Sequence, residues 1–310
     1  MKTIAANYIS LFFLLVLFFA AGCHKEDDLN EDEIEIKKNL TDGFCMTSNG
    51  EVVLTHNDFE YYDYSAHLIY LKDNMSFVEV FENLGEFTVL ANEEEIYSGE
   101  TWPLYLSSSP HGPIIGTHPS FYSDNIVPIG LMPYLDSLGN FLPDPREDER
   151  IVDALKKYNQ FHAGLSCEIT SVDYVSSTNV IVKLLLKNND DFNYYYIDPE
   201  KTGIGLFHYF TNGLFIRDFS AYEMYGSKTE VVSADPWNSW DLDWLSVING
   251  NESKEITIAY SHFEAVPPGQ YKATFEFPGL SFQVSKAEIN QDNGLIWLGS
   301  LKIQKDITIE

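Results

Sequence analysis

The chain has 310 residues, with 19 basic against 47 acidic side chains and a formal net charge of −28. Apolar residues make up 45% and aromatics 15%, enough to bury sizeable cores, so a globally disordered chain is excluded. The acidity also excludes nucleic acid as a partner and opposes docking of a folded face on anionic lipid, because each phosphate contact would work against the protein's own field. At about 150 residues per domain, the length suggests two domains. In chain order, residues 1–22 read as a secretory signal peptide. Lys2 supplies the basic start, 9–19 is an apolar run interrupted only by Ser10, and Ala20, Ala21 and Gly22 are small. The run is short of the ~18 residues that argue a membrane span.

Ala20-Ala21-Gly22-Cys23 resembles the lipobox of bacterial lipoproteins, with Ala20 where Leu is usual. The resemblance implies cleavage before Cys23 and acylation of Cys23, which makes the lipid bilayer a partner through several acyl chains. His24-Lys25-Glu26-Asp27-Asp28 resembles the export signal of Bacteroidota lipoproteins, which implies an outer-membrane location facing the cell surface. The alternative is a solvated acidic spacer on the periplasmic face. Either way, 23–43 reads as an extended, self-repelling tether.

Residues 44–163 are expected to form a small α+β domain. Strands are expected at 51–55, 67–72, 86–91 and 126–131, with Pro128 favouring an edge or bulge for the last. Residues 74–83 have helical spacing, and 98–125 reads as a long Ser/Pro/Gly/His loop with short strand pieces. The best helix is 145–158, with Asp144 as N-cap, Pro145 in the first turn, Glu147 completing a capping box, and Lys156 and Lys157 at the C-terminus. The stretch 57–71 loosely resembles the first strand-turn-strand of SecDF head-type periplasmic domains, which also implies α+β.

Residues 164–310 show strand patterns at 168–175, 179–187, 194–197, 205–210, 214–217, 230–232, 254–260, 270–277, 280–285 and 295–309, separated by Asn, Asp, Gly and Pro turns. No long helix is expected. The run Val180–Asn189, the Tyr194-Tyr195-Tyr196-Ile197 piece and 267–275 resemble bacterial immunoglobulin-like domains, including the BsuPI-type β-sandwich. The resemblance implies an antiparallel sandwich and no particular activity. The expected fold class is therefore mainly β with an α+β part, the small α+β domain preceding an immunoglobulin-like sandwich.

Cys45 and Cys167 form an even pair in an oxidising compartment, so a bridge between them is weighed against two buried free thiols. No CxxC, GxSxG, HExxH, EF-hand, P-loop or GxGxxG motif is present. The loop Ser107-Ser108-Ser109-Pro110-His111-Gly112-Pro113 with His118 offers a hydroxyl beside a base for acyl transfer. With Asp124 the two histidines would instead suit zinc. A Pro/Gly loop with locally packed histidines is the plainer reading. Trp237, Trp240 and Trp244, interleaved with Asp241 and Asp243, suit stacking on sugar rings with hydrogen bonds to hydroxyls. A connection folded inward over the sandwich explains them as well. Asp241 and Asp243 are also candidates for a structural calcium, without a complete ligand set; no other cofactor is indicated. Together these features suggest a non-enzymatic surface lipoprotein binding protein or glycan, the alternative being an envelope hydrolase working from the Ser107–His118 loop.

Overall fold

The computed structural model describes residues 41–310 apart from Ser109, Phe219, Phe282 and Gln283. The signal peptide, Cys23 and the tether up to residue 40 lie outside the described residues. The fold is mainly β, with 46% strand and 14% helix. Among the described residues, no helix is long and apolar enough to cross a membrane.

The first half builds one nine-stranded mixed sheet. Its strands are β1 (Phe44–Ser48), β2 (Glu51–Leu54), β3 (Phe59–Asp63), β4 (Leu68–Leu71), β5 (Glu86–Ala91), β6 (Glu94–Trp102), β7 (Gly112–Gly116), β8 (Ile126–Met132) and β9 (Phe161–His162), in the order β2-β1-β5-β6-β7-β8-β4-β3-β9. Pairing is antiparallel except for β6–β7 and β3–β9. Neither the edge nor the bulge expected for Pro128 is observed, since β8 lies between β7 and β4 and pairs with both without a register shift. Ile129 N–H donates to the His67 carbonyl on the β4 side, so the donor that Pro128 lacks would point towards β7, one residue past the last β7–β8 pair, Ile115 and Ile129.

Two helices cover this sheet. Helix α1 (Phe77–Phe81) is capped by Ser76 and buries Phe77 and Phe81. The helix expected at 145–158 divides in two. Asp144 caps a 3-10 turn, Pro145–Glu147, and Asp148 caps α2 (Glu149–Lys157), its side chain accepting from Arg150 N–H. A second aspartate four residues on makes the same capping bond as Asp144, and the α-helix proper begins from it, a turn late. Ile151, Ala154 and Leu155 bury one face of α2 in the sheet's core, at about 1.5–3 kcal/mol for each large aliphatic side chain.

The second half holds three smaller sheets: β10 (Leu165–Ser176), β11 (Asn179–Asn188) and β16 (Ser253–Tyr260) in one; β15 (Leu245–Ile248), β12 (Tyr194–Ile197), β19 (Gly294–Ile296) and β18 (Asn290–Gln291) in another; β14 (Glu223–Gly226), β13 (Gly213–Asp218), β17 (Gly269–Phe277) and β20 (Leu301–Ile309) in the third. Strict alternation of buried residues runs through Val180, Val182, Leu184 and Leu186 on β11, Ile256, Ile258 and Tyr260 on β16, and Tyr271, Ala273, Phe275 and Phe277 on β17. These faces share one apolar cluster, the layered β arrangement that period-2 patterning dictates.

Four expected strands fail in this half. Residues 205–210 are not a strand but the end of helix α3 (Pro199–Phe210), which starts at the N-cap Asp198. Residues 230–232 are irregular, with Val231 and Val232 exposed, and 280, 281, 284 and 285 carry no strand. The run 295–309 divides at the buried Trp297, because β19 pairs with β12 while β20 pairs with β17. The remaining short helix is α4 (Lys286–Ile289).

Candidate functional site

Among the described residues, His111, His118 and Asp124 do not gather into a metal-ligand cluster. Ser109 lies outside the described residues. His111 is exposed. His118 Nε2 lies 2.8 Å from Glu82 Oε1, at the C-cap of α1. Asp124 serves the other end of that helix, its Oδ1 accepting from Val78 N–H at 2.8 Å and its carbonyl from Phe77 N–H at 2.7 Å. The helix stands between the two, so Asp124 is a cap rather than a third ligand. The cysteine bridge does not form either: Cys45 and Cys167 are free thiols. Cys45 is buried on β1, Cys167 half-buried on β10, and burial pushes both thiols up to about 12, which leaves them unreactive.

The tryptophan loop is divided between core and solvent. Trp244 and Trp240 are half-buried and pack against the sandwich core. Trp244 lies 6.0 Å from the Phe210 ring, and the Trp240 side chain is among the groups that hold Glu288 below its usual carboxylate range, after Ser285. Trp237 is 64% exposed. Its backbone carbonyl accepts from Tyr209 Oη at 2.6 Å, which ties the loop to α3. Asp235, Asn238, Asp241 and Asp243 of the same loop are exposed as well. Asp241 Oδ1 accepts from Asp243 N–H at 2.9 Å and so caps the 3-10 turn Leu242–Trp244. Asp241 and Asp243 do not gather a calcium-type cluster among the described residues. A shallow cleft of 430 Å³ elsewhere, lined by Glu223, Met224, Tyr225, Lys228, Glu264 and Ala265, contains the Lys228–Glu264 ion pair at 3.4 Å.

A second polar centre was not foreseen. His67 closes the β3–β4 turn with φ of +52° and is buried. Tyr62 Oη lies 3.0 Å from its Nδ1, and the Tyr64 ring packs edge-on at 5.5 Å. Its Nε2 faces Asp144 Oδ2 at 3.8 Å. Arg146 grips the same carboxylate, with Nε 2.9 Å from Oδ1 and Nη2 2.5 Å from Oδ2, while its Nη1 donates to the Ile129 carbonyl. Burial, aided by the Arg146 guanidinium, drives His67 down to about 3, so its imidazole is neutral at physiological pH. His67, Asp144 and Glu147 place ligand atoms within 4.8 Å of one another. Their positions in the chain, 67 and 144–147, share no motif; in sequence Asp144 and Glu147 read as helix capping.

A third centre joins the two halves of the chain. Asp63 is buried, and its Oδ1 accepts from Ser65 N–H at 3.0 Å and Ser65 Oγ at 2.6 Å. Trp297 Nε1 donates to that Oγ at 3.3 Å. Asp190 accepts from Ala163 N–H and Gly164 N–H, both at 2.8 Å, and from Tyr194 Oη at 2.9 Å. A Cβ on Gly164 would fall 2.1 Å from Ser65 Oγ, so only glycine admits this approach.

No protein family matches this chain, and no curated protein matches it either.

Proposed function

We propose that the protein is a non-enzymatic, surface-facing outer-membrane lipoprotein that binds glycan through the loop 235–244. The lipobox-like Ala20–Cys23 and the acidic stretch after it support the anchor and the location. The exposure of Trp237 carries the binding reading. Trp237, a residue 64% exposed in a loop that also exposes Asp235, Asn238, Asp241 and Asp243, offers an apolar platform with hydrogen-bonding groups in the same segment. Sugars present that combination in complement: an apolar C–H face edged by hydroxyls. Trp240 and Trp244 anchor the loop in the core, so the platform is held before ligand arrives.

The full-length protein in detergent micelles, applied to an array of bacterial and host glycans, is expected to retain a defined class. Trp237→Ala is expected to weaken that binding about tenfold with an unchanged melting temperature, since the ring is exposed. An array without any retained glycan, or equal retention by Trp237→Ala, overturns the reading.

A further inference from the structure

We propose that His67, Asp144 and Glu147 bind one divalent transition cation of the Zn²⁺ class. His67 Nε2 and Asp144 Oδ2 stand 3.8 Å apart, too far for a hydrogen bond. One cation with ligand bonds of about 2.0–2.2 Å spans that gap. The Glu147 carboxylate is the third ligand, all three ligand atoms lying within 4.8 Å of one another. Glu147 is exposed while His67 is buried, so the site opens to solvent on one side and is walled on the other.

Tyr97 points independently to a missing occupant. It is 8% exposed, its hydroxyl has no hydrogen-bond partner, and Asp144, Arg146 and Tyr64 are within electrostatic reach. A buried hydroxyl seldom stands unpaired. A water or hydroxide on the cation would give it one.

The outer shell is already in place. With Nε2 on the metal, His67 Nδ1–H donates to Tyr62 Oη at 3.0 Å, the second-nitrogen bond that fixes a ligating imidazole. Arg146 holds Asp144 through its backbone N–H and Nε on Oδ1 and through Nη2 and a longer Nε contact on Oδ2, which fixes the carboxylate with Oδ2 facing His67. Two carboxylates against one guanidinium leave the pocket negative. An imidazole with carboxylates selects a zinc-like ion over Ca²⁺ or Mg²⁺, which favour all-oxygen shells.

Zn²⁺ titrated calorimetrically into the full chain tests this. One ion per chain is expected, with affinity falling at least about tenfold in Glu147→Gln and further in His67→Gln. The acidic tether and surface histidines are a second source of weak Zn²⁺ binding, and these substitutions leave them intact. Glu147 is exposed, so its variant folds whether or not the His67 variant does, and it decides the matter alone. Retention of Zn²⁺ within twofold by Glu147→Gln, or the absence of binding to the unaltered chain at millimolar Zn²⁺, overturns the proposal.

Discussion

Asp63 is a carboxyl group with 2% of its surface exposed, at the seam between the first sheet and the sandwich. Burial raises it to about 6, and the neighbouring Asp190 adds to the rise against the bonds from Ser65. The rings of Tyr61, Tyr70, Tyr122 and Tyr194 lie within its field, and no cation is among the groups that shift it. Its folded value stands above the unfolded ~3.9, so the folded state holds this proton more tightly. The stability it contributes is complete below about pH 4 and is lost as the pH rises through about 6. Two units of displacement correspond to at most about 3 kcal/mol. Asp63→Asn keeps the Oδ1 acceptor for Ser65 and removes the charge. The variant is expected to be more stable than the parent at pH 7.5, by up to about 2–3 kcal/mol, and equal to it near pH 4. Urea midpoints at the two pH values measure this. A variant equally displaced at both would show that shape, not charge, governs the site.

At the scale of elements, helix α3 shows where sequence patterning succeeds and fails. Leu206, Phe207, Tyr209 and Phe210 make a short apolar run that suggests a strand over 205–210, yet Asp198-Pro199 supplies an N-cap and a first-turn proline, with Asp198 Oδ1 accepting from Glu200 N–H at 2.9 Å. That start signal outweighs a short apolar run. Gly203 then interrupts the helix at φ 69° and ψ 156°, a region nearly closed to other residues. A Cβ there would meet nothing within 4 Å, so the cost of Gly203→Ala is purely that of the backbone. It is expected to be about 1–3 kcal/mol, read as a lowered denaturation midpoint; a neutral result would mean that the break in the helix is not required. The strands of the second half were legible because β11, β16 and β17 each bury every second residue. Of the candidate sites, the tryptophan loop was visible as composition, but burial of Trp240 and exposure of Trp237 depend on what α3 and α4 bring beneath it. The His67 centre was not legible, because its members come from a turn, a strand and a capping segment far apart in the chain. The cysteine pair was misleading, since an even count of cysteines carries no geometry.

For the whole molecule, the question is whether the two halves unfold together. The strands divide cleanly, with β1–β9 in one sheet and β10–β20 in three others. The cores do not. Leu68, Tyr70 and Ile126 of the first sheet belong to the same buried cluster as β11, β12, β16 and β17. Lys286 of α4 reaches back to the Leu71 carbonyl at 2.8 Å, to Asp73 at 2.8 Å and to Glu60 at 3.3 Å. Trp297 reaches Ser65, and Asp190 holds the backbone of Ala163 and Gly164 at the crossover itself. Separate domains meet through polar, easily parted surfaces, whereas a shared apolar cluster exposes core on both sides when either half opens. The described residues lie in one compact unit, Leu40–Glu310. Scanning calorimetry is therefore expected to show one transition, with the calorimetric and van't Hoff enthalpies in agreement. Truncating the shared Tyr70 to Ala is expected to lower that transition as a whole by the about 3–5 kcal/mol typical of a lost buried aromatic. Two resolved transitions, with only the first-half one moved by Tyr70→Ala, would show that the seam contributes little and that each half is stable on its own.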